Sequence, residues 1–251
     1  VIKSAVAPAL LSGSGLLLGF PALSQVLFSQ LPAPAPVTNA REAAPIDLTG
    51  TWVSIVTESW RFRMVPPVVG DFQGVPITEL AFKTAGEWDP QQDEAAGLAC
   101  RSYGAAAIMR VPGRIRISWV DDNQLKVEID AGTQTRFIHF GNTHDDAPAE
   151  RTWQGYSVGE WVNVNPANGT LKVTTGNMLS GYLRKNGLPY SEDAVMTEYW
   201  NLHEISGEPW IVVTTEIVDP LYLSEPYYTS PNFRREPNDR KWNPTECDVL
   251  W

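Results

Sequence analysis

Between Arg114 and Phe140 apolar and polar residues alternate almost one for one, and this alternation constrains the chain more than any other feature. Ile115, Ile117 and Trp119 share one phase, and Arg114, Arg116 and Ser118 the other. After Asp121-Asp122-Asn123 the pattern resumes, with Leu125, Val127 and Ile129 set against Lys126, Glu128 and Asp130. Ala131-Gly132 turns the chain again and Thr133–Phe140 returns. A period of two suits strands with one buried face, so this stretch predicts a three-strand antiparallel meander.

The second half repeats the pattern. A strand is expected near Tyr156–Val162, then a turn at 165–169, a strand over Thr170–Thr175 and an irregular stretch over Gly181–Asp193. A long strand Val195–Ile205, the Ser206-Gly207-Glu208 turn and a strand Trp210–Val218 follow. Upstream, Thr51–Val56 reads as the first strand, with Trp60–Met64 continuing it or pairing with it until Pro66-Pro67. Thr78–Trp88 has helical spacing and ends at Asp89-Pro90. About eight to ten strands at short turn spacing predict an all-β fold, a closed antiparallel barrel with short helices. Ten Trp, eight Tyr and eight Phe supply large pieces for its core.

The first residues are of another kind. No charged residue lies between Lys3 and Arg41, and Ala5–Leu31 is apolar or small almost throughout. As a helix that run would reach about 40 Å, more than a bilayer core requires. One reading is a retained transmembrane anchor. The other is a secretory signal with a Leu10–Phe20 apolar core and a small-residue site at Ala22-Leu23-Ser24. The anchor is the expectation carried forward. Gly13, Gly15 and Gly19 would let other transmembrane helices approach closely. The resulting organisation is an anchor over 1–31, a Pro/Ala-rich tether over 32–46, a barrel over 47–220 and an extended tail over 221–251. The tether would hold the barrel off a membrane surface at about 3 Å per residue.

A net charge of −10 argues against a nucleic-acid partner, which would need a basic stripe. Cys100 and Cys247 lack metal-ligand spacing. Outside the cytoplasm they would form one disulfide pinning the tail to the barrel; the other reading is two buried thiols.

Trp52 follows Gly50 by two residues, and at Gly50-Thr51-Trp52 the chain resembles the lipocalin and calycin proteins, whose first barrel strand opens with Gly-x-Trp. The resemblance implies an up-and-down barrel that holds an apolar small molecule. It also implies an Arg from a late strand packed on that Trp. The second half is similar to a set of uncharacterised exported bacterial proteins. Trp153–Trp161, Gly169–Thr175, Gly181–Gly187, Pro189–Ser191, Thr197–Tyr199 and Asp219-Pro220 carry that similarity. It implies an extracytoplasmic β domain and no particular chemistry.

Few residues suggest a reaction. There is no Gly-x-Ser-x-Gly elbow. His139, His144, Asp145, Asp146 and Glu150 fall within a short stretch but match no standard zinc spacing, and a solvated loop explains them equally well. Tyr182, Arg184, Tyr190, Glu198 and Asp219 gather around the irregular stretch and its flanking strands, a candidate barrel mouth. There Glu198 would act as an acid or base if burial raised its pKa. A structural polar network uses the same residues. No catalytic residue, metal or cofactor is therefore assigned. The expected function is a non-enzymatic, membrane-anchored extracytoplasmic subunit of a larger membrane complex, joined to other transmembrane subunits through residues 5–31. The alternatives are a lipocalin-like carrier of an apolar molecule and, further off, a barrel-mouth hydratase or isomerase. A packed barrel interior counts against both alternatives; an interior space of several hundred Å3 would favour them.

Overall fold

In a computed structural model that describes residues 39–165 and 168–249, the alternating stretches are strands whose apolar phase faces one interior. The strands are β1 (Gly50–Ile55), β2 (Arg114–Trp119), β3 (Gln124–Ile129), β4 (Gln134–Phe140), β5 (Tyr156–Asn165) and β6 (Asn168–Gly176). After them come β7 (Gly181–Arg184), β8 (Leu188–Tyr190), β9 (Val195–Ile205), β10 (Glu208–Val218), β11 (Tyr227–Thr229) and β12 (Asn232–Arg235). Among the described residues, nine of these close a ring in the order β10-β12-β1-β2-β3-β4-β5-β6-β9, with β9 pairing back to β10.

The wall is mixed, which corrects the expectation of a purely antiparallel barrel. Neighbours in an all-antiparallel ring alternate in direction, so such a ring needs an even number of strands. With nine, one pair must run parallel. That pair is β4–β5, with Ile138 opposite Ser157 and Phe140 opposite Gly159. The polar segment 141–155 is long enough to carry the chain back to the end where β4 began, as a parallel connection requires. Elsewhere register follows turn chemistry. Ser206 and Gly207 both take positive φ between Ile205 and Glu208, the two-residue hairpin that matches strand twist.

Four further features depart from the sequence reading or sharpen it. Trp60–Met64 is a short helix, α1, and not a strand; Ser59 takes φ 48° just before it, and only Arg63 within it is buried. Gly181–Asp193 contains the hairpin β7–β8, a separate two-stranded sheet buried at every position. The wall also continues past residue 220. β11 and β12 keep one register against β10, interrupted at Ser230-Pro231, where proline offers no N–H to the ladder. Val213 still donates to the Pro231 carbonyl at 3.0 Å. β12 then pairs with β1 and so closes the ring. Finally, the described part of the tether lies on the barrel: Trp161 donates to the Ala40 carbonyl at 2.8 Å, and Ile46 joins the core.

Helices α2 (Glu79–Gly86) and α3 (Pro90–Ala95), a 3-10 turn at Ala99–Tyr103 and helix α4 (Ala105–Ile108) fill the long β1–β2 connection. Thr78 and Asp89 cap α2 and α3 by accepting from Ala81 N and Gln91 N. The Cys100–Cys247 disulfide is formed and ties this connection to the C-terminal segment. The expected membrane helix over 1–31 lies outside the described residues. Among the described residues no helix is long and apolar enough to cross a membrane.

Candidate functional site

The barrel interior is filled by side chains. Trp52, Trp200 and Phe233 sit within one cluster with Leu125, Ile138, Leu171, Ile211 and other aliphatic residues, all nearly inaccessible. Trp52 donates its indole N–H to the Leu48 carbonyl at 2.9 Å, and the Arg235 guanidinium of β12 lies over its ring at 5.4 Å. Gly50 makes that approach possible: it takes φ +119°, and a Cβ there would come within 2.9 Å of Arg235 Nη2.

One charged pair is sealed inside. Arg136 of β4 and Glu198 of β9 follow the inward phase of their strands, and their side chains are 1% and 0% exposed. Arg136 Nη2 donates to Glu198 Oε2 at 2.7 Å, and Nη1 lies 3.3 Å from Oε1. Nη2 also reaches Ser157 Oγ at 3.2 Å and Thr175 Oγ1 at 3.1 Å, and those two hydroxyls are 2.8 Å apart. Arg136 Nε and Trp200 Nε1 lack a hydrogen-bond partner among the described residues. The guanidinium therefore neutralises Glu198 within a closed network, an arrangement that orders a core and offers no approach to a substrate.

The other residues expected at a barrel mouth do not converge on Glu198. Tyr182 donates to Asp93 Oδ2 at 2.7 Å, and Arg101 bridges the two by donating to Asp93 Oδ1 at 2.8 Å and lying 3.1 Å from the Tyr182 hydroxyl. Burial and the Asp93 carboxylate push the Tyr182 phenol well above its ordinary value, so it stays a neutral donor. Tyr190 is fully buried, with its ring end against Gly104 and Gly181, where a Cβ would collide with it. Burial raises its pKa too. Asp219 fixes the chain after β10: it accepts from Ser191 N at 2.6 Å, Ser191 Oγ at 2.8 Å and Leu221 N at 3.0 Å.

Arg184 belongs to a different group. It lines a cavity with Arg63 of α1 and Arg110, residues the sequence reading did not single out. Arg63 Nε donates to the Arg110 carbonyl at 2.8 Å, Nη1 to Glu58 Oε1 at 3.3 Å and Nη2 to Ser54 Oγ at 3.1 Å. Arg110 Nε lies 3.8 Å from the same Glu58 oxygen, close enough for an ion pair and too far for a hydrogen bond. Arg184 Nη2 donates to the Gln73 carbonyl at 2.9 Å, and its guanidinium stacks 4.3 Å from the Phe62 ring. Burial lowers the Arg63 pKa to about 10 and also lowers that of Arg184, with Arg110 adding like-charge repulsion to both. Neighbouring Lys185 is held by the Tyr103 hydroxyl at 2.6 Å and the Asp248 carbonyl at 3.3 Å; burial lowers its pKa to about 8.

The histidine stretch makes no metal centre: no group of three or more His, Cys, Asp or Glu side chains suited to a metal occurs among the described residues. His139 stacks on Tyr156 at 4.7 Å and shares a 3.0 Å contact with Gln124, while Asp146 closes a capping box with Thr143. Among models of known families, curated proteins and solved structures, none matches this chain.

Proposed function

We propose that the chain is a non-enzymatic accessory subunit of a membrane complex, with its barrel as an extracytoplasmic scaffold that works through its outer surface. The packed interior carries this reading: Trp52, Trp200, Phe233 and the Arg136–Glu198 pair occupy the space a carrier or a barrel-mouth enzyme would need. The Cys100–Cys247 disulfide supports an oxidising compartment. The uncharged run Ala5–Leu31 supports attachment to a membrane and contact with other transmembrane subunits. A partner-facing surface is supported by α1 and the segment after it, where Trp60 is 69% and Val68 73% exposed beside exposed Met64 and Val65.

The carrier reading has one observation in its favour. Gly50, Trp52 and Arg235 reproduce the first-strand Gly-x-Trp and the late-strand Arg that the lipocalin resemblance implies. Against it, core side chains occupy the interior among the described residues, so it ranks second.

Carbonate extraction of native membranes, with intact-mass and native mass spectrometry in mild detergent, separates the two readings. The accessory-subunit reading expects a carbonate-resistant chain that retains residues 5–31 and runs in a larger assembly. A chain released by carbonate, monomeric and carrying an apolar molecule would overturn it in favour of the carrier.

A further inference from the structure

We infer that Arg63, Arg110 and Arg184 form a binding site for a small oxyanion, a phosphate or carboxylate group, outside the barrel beside the end of β1. Three observations carry this, and none depends on the accessory-subunit reading.

The first is an imbalance of buried charge. Three guanidiniums line one cavity, and among the described residues Glu58 is the carboxylate that pairs with them, through Arg63 and Arg110. The Tyr227 hydroxyl acts on Arg184 more strongly than Asp71 does, but a neutral phenol supplies no counter-charge, and Asp71 pairs with Arg61 at 2.6 Å. The cavity thus keeps a cationic excess in a chain whose net charge is −10. Guanidinium does not shed its proton at neutral pH, so the excess cannot be relieved by titration.

The second is unmet hydrogen bonding. Arg110 is 7% exposed, yet its Nε and Nη2 have no hydrogen-bond partner among the described residues; Arg184 is 5% exposed, and its Nε and Nη1 have none there either. Leaving buried charged donors unpaired is costly, and pairs of guanidinium N–H groups match the oxygens of a carboxylate or phosphate.

The third is size. The cavity has a volume of about 30 Å3, space for one or two waters or for one oxyanionic group. Phe62, Val111, Leu183 and Ala107 supply its apolar lining, and Ser102 and Lys185 complete it, so no carboxylate lines the cavity to compete with an anion. A larger ligand would place only its anionic end here. That group comes either from a free solute or from the phosphate of a lipid.

The test is calorimetric titration of the full chain in non-ionic detergent at constant ionic strength, with inorganic phosphate, acetate and a short-chain phosphatidic acid as probes. We expect saturable single-site binding of phosphate or acetate, weakened at least tenfold by Arg110→Met and by Arg184→Met and unchanged by Lys172→Met on the outer wall. Phosphatidic acid binding at least tenfold tighter than inorganic phosphate identifies a lipid headgroup as the source; equal affinity identifies a free anion. Should either arginine variant misfold, the wild-type chain still decides, because phosphate at ten times its Kd should raise Tm by about 3–6 °C. The site is overturned if no probe binds saturably up to about 10 mM, tenfold beyond a millimolar Kd. It is also overturned if both arginine variants bind as tightly as wild type.

Discussion

Removing one member of the Arg136–Glu198 pair should do far more damage than removing both. At 2.7 Å the two charges attract by roughly 6 kcal/mol at an effective dielectric near 20. Taking both ions out of water costs several kcal/mol each, so the pair as a whole contributes close to nothing. Glu198→Leu leaves the guanidinium sealed in the core with only Ser157 and Thr175 to accept from it, and should cost about 3–5 kcal/mol. Arg136→Met strands the carboxylate and should cost about as much. The double variant has a different outcome. Ser157 and Thr175 remain hydrogen-bonded to each other at 2.8 Å, and a Met and a Leu fill the vacated volume. Its stability should return to within about 1 kcal/mol of wild type or exceed it. Urea titration of Pro36–Trp251, a compact unit in its own right, reads all four proteins through the fluorescence of buried Trp52 and Trp200. A loss below about 1 kcal/mol in either single variant would mean that water reaches the pair, and would refute the sealed-interior reasoning on which the proposed function rests.

Other outcomes follow from the same structure. Trp52→Ala should cost about 3–5 kcal/mol in the same titration, since it removes the indole, its bond to Leu48 and the surface under Arg235. Reducing the Cys100–Cys247 bond, which spans 147 residues, should lower stability by about 4–5 kcal/mol, and thiol labelling of the unreduced, denatured chain should find neither cysteine free. Lys185 has a folded pKa of about 8 against an ordinary value of 10.5, so the unfolded chain binds more protons between them. Stability should therefore rise from pH 8 towards pH 10, by up to about 1.4 kcal/mol per pH unit, and Lys185→Met should flatten that rise. Measurement should stop near pH 10, where the raised phenols of Tyr182 and Tyr190 begin to act in the opposite sense.

Most of the wall was legible because each strand records its buried face locally. Leu125, Val127 and Ile129 announce both a strand and a side, and the structure pairs them as the alternation suggests. The parallel pair was not legible, because direction depends on the strand count around the whole ring. The hairpin β7–β8 was hidden for another reason: it is buried on both faces, and polar Arg184 sits inside, so no alternation marks it. Trp60-Arg-Phe-Arg-Met64 alternates like a strand, yet it finds no sheet edge and coils, leaving Trp60 and Met64 exposed. Arg136 did leave a signal: it shares the phase of Ile138 and Phe140, so an inward charge could have been inferred and Glu198, in phase with Met196 and Trp200, matched to it. Arg63 and Arg110 left none, and Arg184, singled out with the barrel-mouth residues, gave no sign that it would join them, since charges far apart in sequence read as solvated until the fold gathers them.

The strand that completes the ring has a bearing on biosynthesis. β12 pairs with β1 through Arg235 and Trp52, so among the described strands the first of the ring waits for the last. A chain emerging amino end first, from a ribosome or a secretion channel, holds β1 as an open edge while the remaining strands appear. Such an edge is a template for pairing with other chains. Closure through contacts this distant is slow, which prolongs the exposure. Cells that make this protein in quantity should need a holding chaperone on the nascent chain, and a premature stop before Asn232 should yield aggregates and not a smaller soluble barrel.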